Sequence, residues 1–73
     1  MEYKLSAVIS KEEKFFVARG IEIEIVSQGK TVEEALSNLK EAFELWLKHA
    51  DEDELEIFKD QKAPIVTQVA VTA

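Results

Sequence analysis

The longest periodic pattern in this chain is helical. From position 32 onward, apolar residues recur at intervals of three and four positions, which is the spacing of one face of an amphipathic helix. The pattern predicts a single helix from Val32 to about Ala50, whose apolar face must be covered by another surface. That face comprises Val32, Ala35, Leu36, Leu39, Ala42, Phe43, Trp46 and Leu47.

The start of this helix is marked by a turn and a helix cap. Gly29 follows an apolar stretch and allows a tight turn into the helix. Thr31 precedes Glu34 by three positions, which predicts a capping box. In that arrangement the Thr31 hydroxyl accepts from the Glu34 amide, and the Glu34 carboxylate accepts from the Thr31 amide. Gly29, Thr31 and Glu34 are therefore the predicted structural residues of a strand-to-helix corner.

Alternating apolar and polar residues predict three strands before the helix. The first covers residues 3–9, with its odd-numbered residues on one face. The second covers residues 15–19, which are apolar and partly aromatic, and it follows a polar hairpin connection. In the third, residues 21–25, three isoleucines alternate with Glu22 and Glu24. This predicts a half-buried strand with a charged outer face, placed after a bend or bulge at Gly20.

The chain after the helix is less regular. Residues 51–54 are acidic and predict a solvated stretch, whereas residues 55–63 fit either a short helical turn or a packed loop. Residues 65–72 alternate again and predict a fourth strand, which would pair at an edge of its own sheet or of a neighbouring chain's. The order β-β-β-α-β predicts an α+β fold, an antiparallel meander with one helix packed on the sheet.

Length and composition favour self-association. The 73 residues have room for one domain, 1–73, which buries only about 60% of the surface that its unfolded chain exposes. The absence of cysteine removes disulfides as a source of stability and fits a cytoplasmic location. We therefore expect a homodimer or an oligomer built from dimers. Its predicted interface is Leu45, which lies off the helical stripe, with Val66, Val69 and Val71 of the last strand.

The charge of the chain bears on its partners. Fifteen acidic and nine basic residues give a net charge of −6, which repels nucleic acid and suits a basic protein partner. Solubility alone would also account for this charge. On charge we assign Glu22 and Glu24 to a partner-binding surface, and we expect no direct nucleic-acid binding. We expect no membrane segment, because no apolar run approaches the ~20 residues of a spanning helix.

Three features resemble parts of known functional motifs but do not match the complete motifs. Gly29-Lys30-Thr31 is like the end of a phosphate-binding loop, but Glu24 stands where that motif requires its first glycine. An EF-hand starting at Asp51 would need glycine at Glu56. His49 is the single histidine, and no motif places a nucleophile beside it. We therefore expect no enzyme activity, no cofactor and no metal.

The chain resembles the HicB-like antitoxin family. The resemblance is carried by residues 3–9, 16–19 and 25–36, including Ser-Gln-Gly-x-Thr-x-Glu-Glu-Ala-Leu at 27–36, and it continues through Leu39 and Ala42. Many members have Pro-Glu-Leu before the third strand, where this chain has Ile21-Glu22-Ile23. The resemblance implies a partial RNase H-like β-β-β-α-β fold. This shape does not imply nuclease activity, because the first predicted strand carries no acidic residue.

The same resemblance implies a function. A HicB-like protein would bind and neutralise a small basic HicA-like RNase toxin, covering the toxin's catalytic histidine and RNA-binding face. Full antitoxins often carry an added DNA-binding domain, whereas the last element predicted in this sequence is a single strand, so we do not expect operator binding. The alternative is a stand-alone homo-oligomeric domain that has no toxin partner. Copurification with a small basic chain would separate these two hypotheses.

Overall fold

The structure is a computed structural model that describes residues 2–59 and 62–73. Three strands come first: β1 (Ala7–Lys11), β2 (Phe16–Gly20) and β3 (Val26–Gly29). They are followed by helix α1 (Val32–His49), the short helix α2 (Glu52–Leu55) and a 3-10 turn (Glu56–Phe58). The α+β class and the order of three strands and a helix are as the sequence predicts.

The three strands form an antiparallel meander in the order β1-β2-β3. Ile9 of β1 lies opposite Ala18 of β2, which in turn lies opposite Ser27 of β3. The polar hairpin between β1 and β2 closes with a hydrogen bond from the Glu12 amide to the Phe15 carbonyl, 2.8 Å. This register places Ile9 and Ala18 on the face that packs against the helix.

Two strand boundaries differ from the prediction. β1 starts at Ala7, four residues later than expected, and β3 follows the predicted segment 21–25 instead of coinciding with it. The chain bends after Gly20, where a Cβ atom would lie 2.8 Å from the Ile23 carbonyl oxygen. Ile23 and Ile25 are nevertheless half-buried. Their alternation with glutamates therefore reports side-chain burial at a bend, in a segment that forms no strand of its own.

Helix α1 covers one face of the sheet and has the predicted length. It packs against β2 and β3 and buries Ala35, Leu39 and Phe43. With Ala18 these are the buried apolar residues among those described, so the core is small. Leu5, Ala7, Ile9, Phe16 and Ile25 pack around it and stay half-buried.

The predicted fourth strand is absent from the single chain. Residues 62–73, called the tail below, have no helix or strand and are exposed throughout, with Ile65 92% exposed. The prediction was wrong for the isolated chain because alternation specifies which side chains share a face. It does not provide the neighbouring strand that backbone pairing requires.

Candidate interaction surface

An aromatic cluster holds the segment after α1 against the end of that helix. Phe58, on the 3-10 turn, lies 5.5 Å from Phe43, 5.8 Å from Trp46 and 5.9 Å from Tyr3 between ring centroids. Aromatic pairs at such distances each contribute about 0.5–1.5 kcal/mol beyond the burial of their area. In the described part of the segment 55–63 the two alternatives are combined, since the helical turn Glu56–Phe58 is packed through Phe58. Positions 60 and 61 of that prediction lie outside the described residues.

The acidic stretch before this turn is capped, not merely solvated. The Glu54 amide donates to Asp51 Oδ1 at 2.9 Å, and the Asp51 amide donates to Glu54 Oε1 at 3.2 Å. This capping box starts α2 and joins Glu54 to Asp51. Further along, a hydrogen bond to Glu56 raises the pKa of Lys59, whose ammonium lies 2.9 Å from Glu56 Oε1. That pair is exposed, so it contributes little to stability.

An open groove, called the β3 groove, lies beside the second half of α1. Ala42, Leu45, Trp46 and His49 follow one another at helical spacing along its wall, and Leu45 is 60% exposed, as predicted. The groove has a volume of about 390 Å³ and is mainly apolar. Its lining is Ile25, Ala42, Leu45, Trp46, His49, Ala50 and Glu54.

A second groove, called the β1 groove, lies at the first strand. It forms because α1 packs mainly on β2 and β3, which leaves the inner face of β1 partly uncovered. Its volume is about 220 Å³, and its lining is Tyr3, Leu5, Ala7, Leu36, Leu39, Lys40 and Phe43. The helix is thus flanked by two apolar grooves.

The two glutamates assigned to a partner surface have different surroundings. The Glu22 carboxylate accepts a hydrogen bond from the Ser6 amide at 2.7 Å and is half-buried, so it ties the bend after β2 to the start of β1. Glu24 is exposed and immediately precedes Ile25 of the β3 groove. The expectation that both lie on the outer face of one strand is therefore wrong. Glu54 was not predicted to line a groove. The sequence signal at Glu54 is its capping-box spacing from Asp51, which indicates a helix start but not a groove.

All four residues assigned to an oligomer interface are exposed. Leu45 borders the β3 groove, whereas Val66, Val69 and Val71 lie on the tail. Exposed aliphatic residues in such a small chain are consistent with the predicted self-association. The interface itself remains a prediction.

A protein of Helicobacter pylori strain J99, described as a UPF0150 protein, is 40% identical to this chain over 72 aligned positions. The alignment covers 92% of this chain and 93% of that protein. The chain belongs to the UPF0150 family. No protein-family model and no solved structure match it. Among the residues described for this UPF0150 protein, no helix is long and apolar enough to cross a membrane. Within the same residues, no three His, Cys, Asp or Glu side chains are grouped to hold a metal ion.

The helix cap of this UPF0150 protein is formed, with one difference from the prediction. The Glu34 amide donates to Thr31 Oγ1 at 3.0 Å, as expected. The Glu34 carboxylate, however, accepts from the Lys30 amide at 3.1 Å and not from the Thr31 amide. Gly29 is buried against the start of the helix. These residues have a structural role, and they lie at the opposite end of α1 from the β3 groove.

Replacing Thr31 by alanine is expected to destabilise the UPF0150 protein by about 0.5–2 kcal/mol, because the Glu34 amide loses its acceptor. Chemical denaturation at fixed protein concentration would measure this loss. Thr31→Ser keeps the hydroxyl and serves as the matched control, with nearly wild-type stability. An unchanged midpoint for Thr31→Ala would show that the cap contributes nothing.

Proposed function

We propose that this UPF0150 protein is a HicB-like antitoxin module that binds and neutralises a small basic RNase toxin of the HicA-like type. The sequence resemblance over residues 3–48 supports the family assignment behind this proposal. The structural observation that carries it is the β3 groove, an exposed apolar surface bordered by carboxylates. In this proposal the chain supplies no catalytic group and acts by covering the surface of its partner.

The β3 groove suits a protein partner because its composition resembles the centre of an interface. Trp46 and Leu45 provide apolar surface along the wall of the groove. Tryptophan is among the residues that most often dominate binding energy. Glu54 lines the groove, and Glu24 is next to Ile25 of the lining. An apolar side chain of the partner would enter the groove, while neighbouring Lys or Arg residues would pair with these carboxylates.

The charge of the whole chain supports a basic partner. The net charge is −6, and residues 51–54 of α2 and its cap are acidic and exposed. Such a field accelerates encounter with a positively charged protein and disfavours contact with phosphates. A toxin that binds RNA needs a basic surface, and the same surface would be attracted to this chain.

The proposal is tested by isolating the native protein and then reconstituting its complex. Copurification at low salt should yield a second, small basic chain in a defined ratio. The purified second chain should cleave RNA, and one equivalent of the UPF0150 protein should suppress that cleavage. Recovery of the chain alone, or a copurifying protein whose RNA cleavage it does not inhibit, would contradict the proposal.

Charge reversal near the β3 groove is expected to slow association. Glu24→Lys combined with Asp53→Lys should lower the association rate at low salt by about tenfold or more, since electrostatic steering is reversed there. Both side chains are exposed, so the fold should tolerate the change. Stopped-flow or surface-plasmon measurements against the purified toxin, at two salt concentrations, would measure the rate.

The matched control is Glu12→Lys combined with Glu13→Lys. It makes the same change in net charge in the hairpin between β1 and β2. The hairpin residues Lys14 and Phe15 lie beside Gly29 and Glu34 at the start of α1, away from the β3 groove. If both double variants slow association equally, only net charge matters and the β3 groove is not the binding surface.

A stand-alone homo-oligomeric domain is the second candidate function. The observation that favours it is the exposed aliphatic tail, which a second copy of the same chain would cover. Native purification separates the two candidates. An oligomer that contains this chain alone supports the second.

A further inference from the structure

One edge of the sheet has open backbone groups. The Ile21 amide donates to the Ser6 carbonyl at 2.9 Å, which makes Ser6 and Ile21 a hydrogen-bonded pair of the β1-β2 ladder. Because such pairs alternate in an antiparallel ladder, Ala7, Ile9 and Lys11 direct their amides and carbonyls away from β2. Among the described residues, none pairs with these groups.

The opposite edge is partly closed. The Gly20 amide donates to the Ile25 carbonyl at 2.7 Å, so by the same alternation Val26 and Gln28 face the open side of β3. There Asn38 Nδ2 donates to the Gln28 carbonyl at 2.8 Å. A strand that approached β3 would have to displace this side chain. None of the residues that the structure describes obstructs the β1 edge in this way, and the β1 groove lies directly beside it.

The tail has the properties of the missing strand. Ile65, Val69 and Val71 share one face of an alternating segment, and each is more than four-fifths exposed. The tail leaves the body next to β1, because Ala63 lines a hollow with Ser6 and Phe58. It does not turn back onto its own β1, although that edge is near.

Pro64 favours an extended start of the tail. Proline fixes its own φ angle and holds the preceding residue, Ala63, in an extended conformation, which disfavours a tight reversal. The radius of gyration is 14.1 Å, whereas a compact chain of this length has about 11 Å. The difference is consistent with a tail that extends away from the sheet. A segment that does not pair with its own sheet can be exchanged between copies, which is a low-cost route to dimers.

We propose that residues 65–71 of one copy add as a fourth strand to the β1 edge of a second copy. Their amides and carbonyls pair with those of Ala7, Ile9 and Lys11, and the side chains of Ile65, Val69 and Val71 cover the partner's β1 groove. The exchange is reciprocal about a two-fold axis, so neither copy keeps an open β1 edge. The fourth strand that the sequence predicts is thus supplied by the partner copy, and this holds whether or not a toxin binds the β3 groove.

The first test compares two neighbouring substitutions in the full-length chain by sedimentation equilibrium. Val69→Asp places a charge on the face that enters the groove and should raise the dimer dissociation constant by about 100-fold or more. Gln68→Asp places the same charge on the opposite face and should change the constant by no more than about threefold. The wild-type protein should be a dimer at micromolar concentration. A wild-type monomer, two dimeric variants or two monomeric variants would each overturn the proposal.

The second test uses only the wild-type protein, so it applies even if Val69→Asp does not fold. Amide hydrogen exchange measured by NMR should show protection at Ile9 and Lys11, whose amides face the open edge of β1, and rapid exchange at Val26. Protection at Val26 in place of Ile9 would move the added strand to β3 and overturn the assignment. Protection at Ile9 in a protein of monomeric mass would show that each tail pairs with its own sheet.

Discussion

Replacement of Phe43 by alanine is expected to cause a large loss of folding stability. Phe43 is 7% exposed, and its ring lies 6.2 Å from that of Trp46 and 5.5 Å from that of Phe58. Phe→Ala in a core costs about 3–5 kcal/mol, through lost burial and the cavity that remains. A domain of this size has on the order of 4–11 kcal/mol of total stability. The substitution would therefore remove a large part of it.

Urea denaturation followed by circular dichroism, at fixed protein concentration, would measure this loss. Glu44→Ala is the matched control, because it truncates the neighbouring side chain on the same helix at an exposed position. It should change stability by no more than about 0.5 kcal/mol. A Phe43→Ala protein that is less than 1 kcal/mol below wild type would show that the aromatic cluster is not part of the stabilising core.

Replacement of Gly29 by alanine is expected to separate the start of α1 from the sheet. A Cβ atom at this position would lie 2.5 Å from the Ala35 nitrogen and 2.8 Å from the Glu34 carbonyl carbon. Both neighbours are backbone atoms of the first helical turn, so no side-chain rotation relieves the overlap. We expect a loss of about 1–3 kcal/mol or more, the range for overpacked sites.

Thermal unfolding of Gly29→Ala would measure this effect, with Gln28→Ala as the control. Gln28 is the neighbouring residue of β3 and its side chain is exposed, so its truncation should leave the melting temperature nearly unchanged. The hydrogen bond of Asn38 to the Gln28 carbonyl uses the backbone and survives this substitution. Equal melting temperatures for Gly29→Ala and wild type would show that the helix is not held as close to β3 as the structure has it.

The two proposals assign the two grooves to different partners. The β3 groove is bordered by carboxylates and suits a basic protein, whereas the β1 groove lies beside open backbone groups and suits an added strand. Because they lie on opposite sides of α1, the chain could form a dimer and still leave the β3 groove accessible. Charge reversal at Glu24 and Asp53 tests the first role, and Val69→Asp on the tail tests the second.

Local sequence signals determined the helix and its start. Val32–His49 has the predicted extent because its apolar period of 3.6 and its cap at Thr31 are properties of neighbouring residues. The exposure of Leu45 followed from the same period. The hairpin between β1 and β2, and the inward face of β1, were predictable because strand alternation and short turns are also local.

Only the tertiary structure decided where the backbone pairs. The isoleucines at 21–25 alternate with glutamates whether the chain forms a strand or bends. The bend after Gly20 is held by contacts between residues far apart in the sequence, such as the hydrogen bond from the Ser6 amide to Glu22, sixteen positions later. For the same reason the sequence could not show that Glu22 is engaged within the fold, or that Glu54 lines a groove beside α1. The fourth strand is the clearest case. Its alternation specifies a strand, but the edge that completes it lies elsewhere in space, and pairing is decided by which edge is open and within reach.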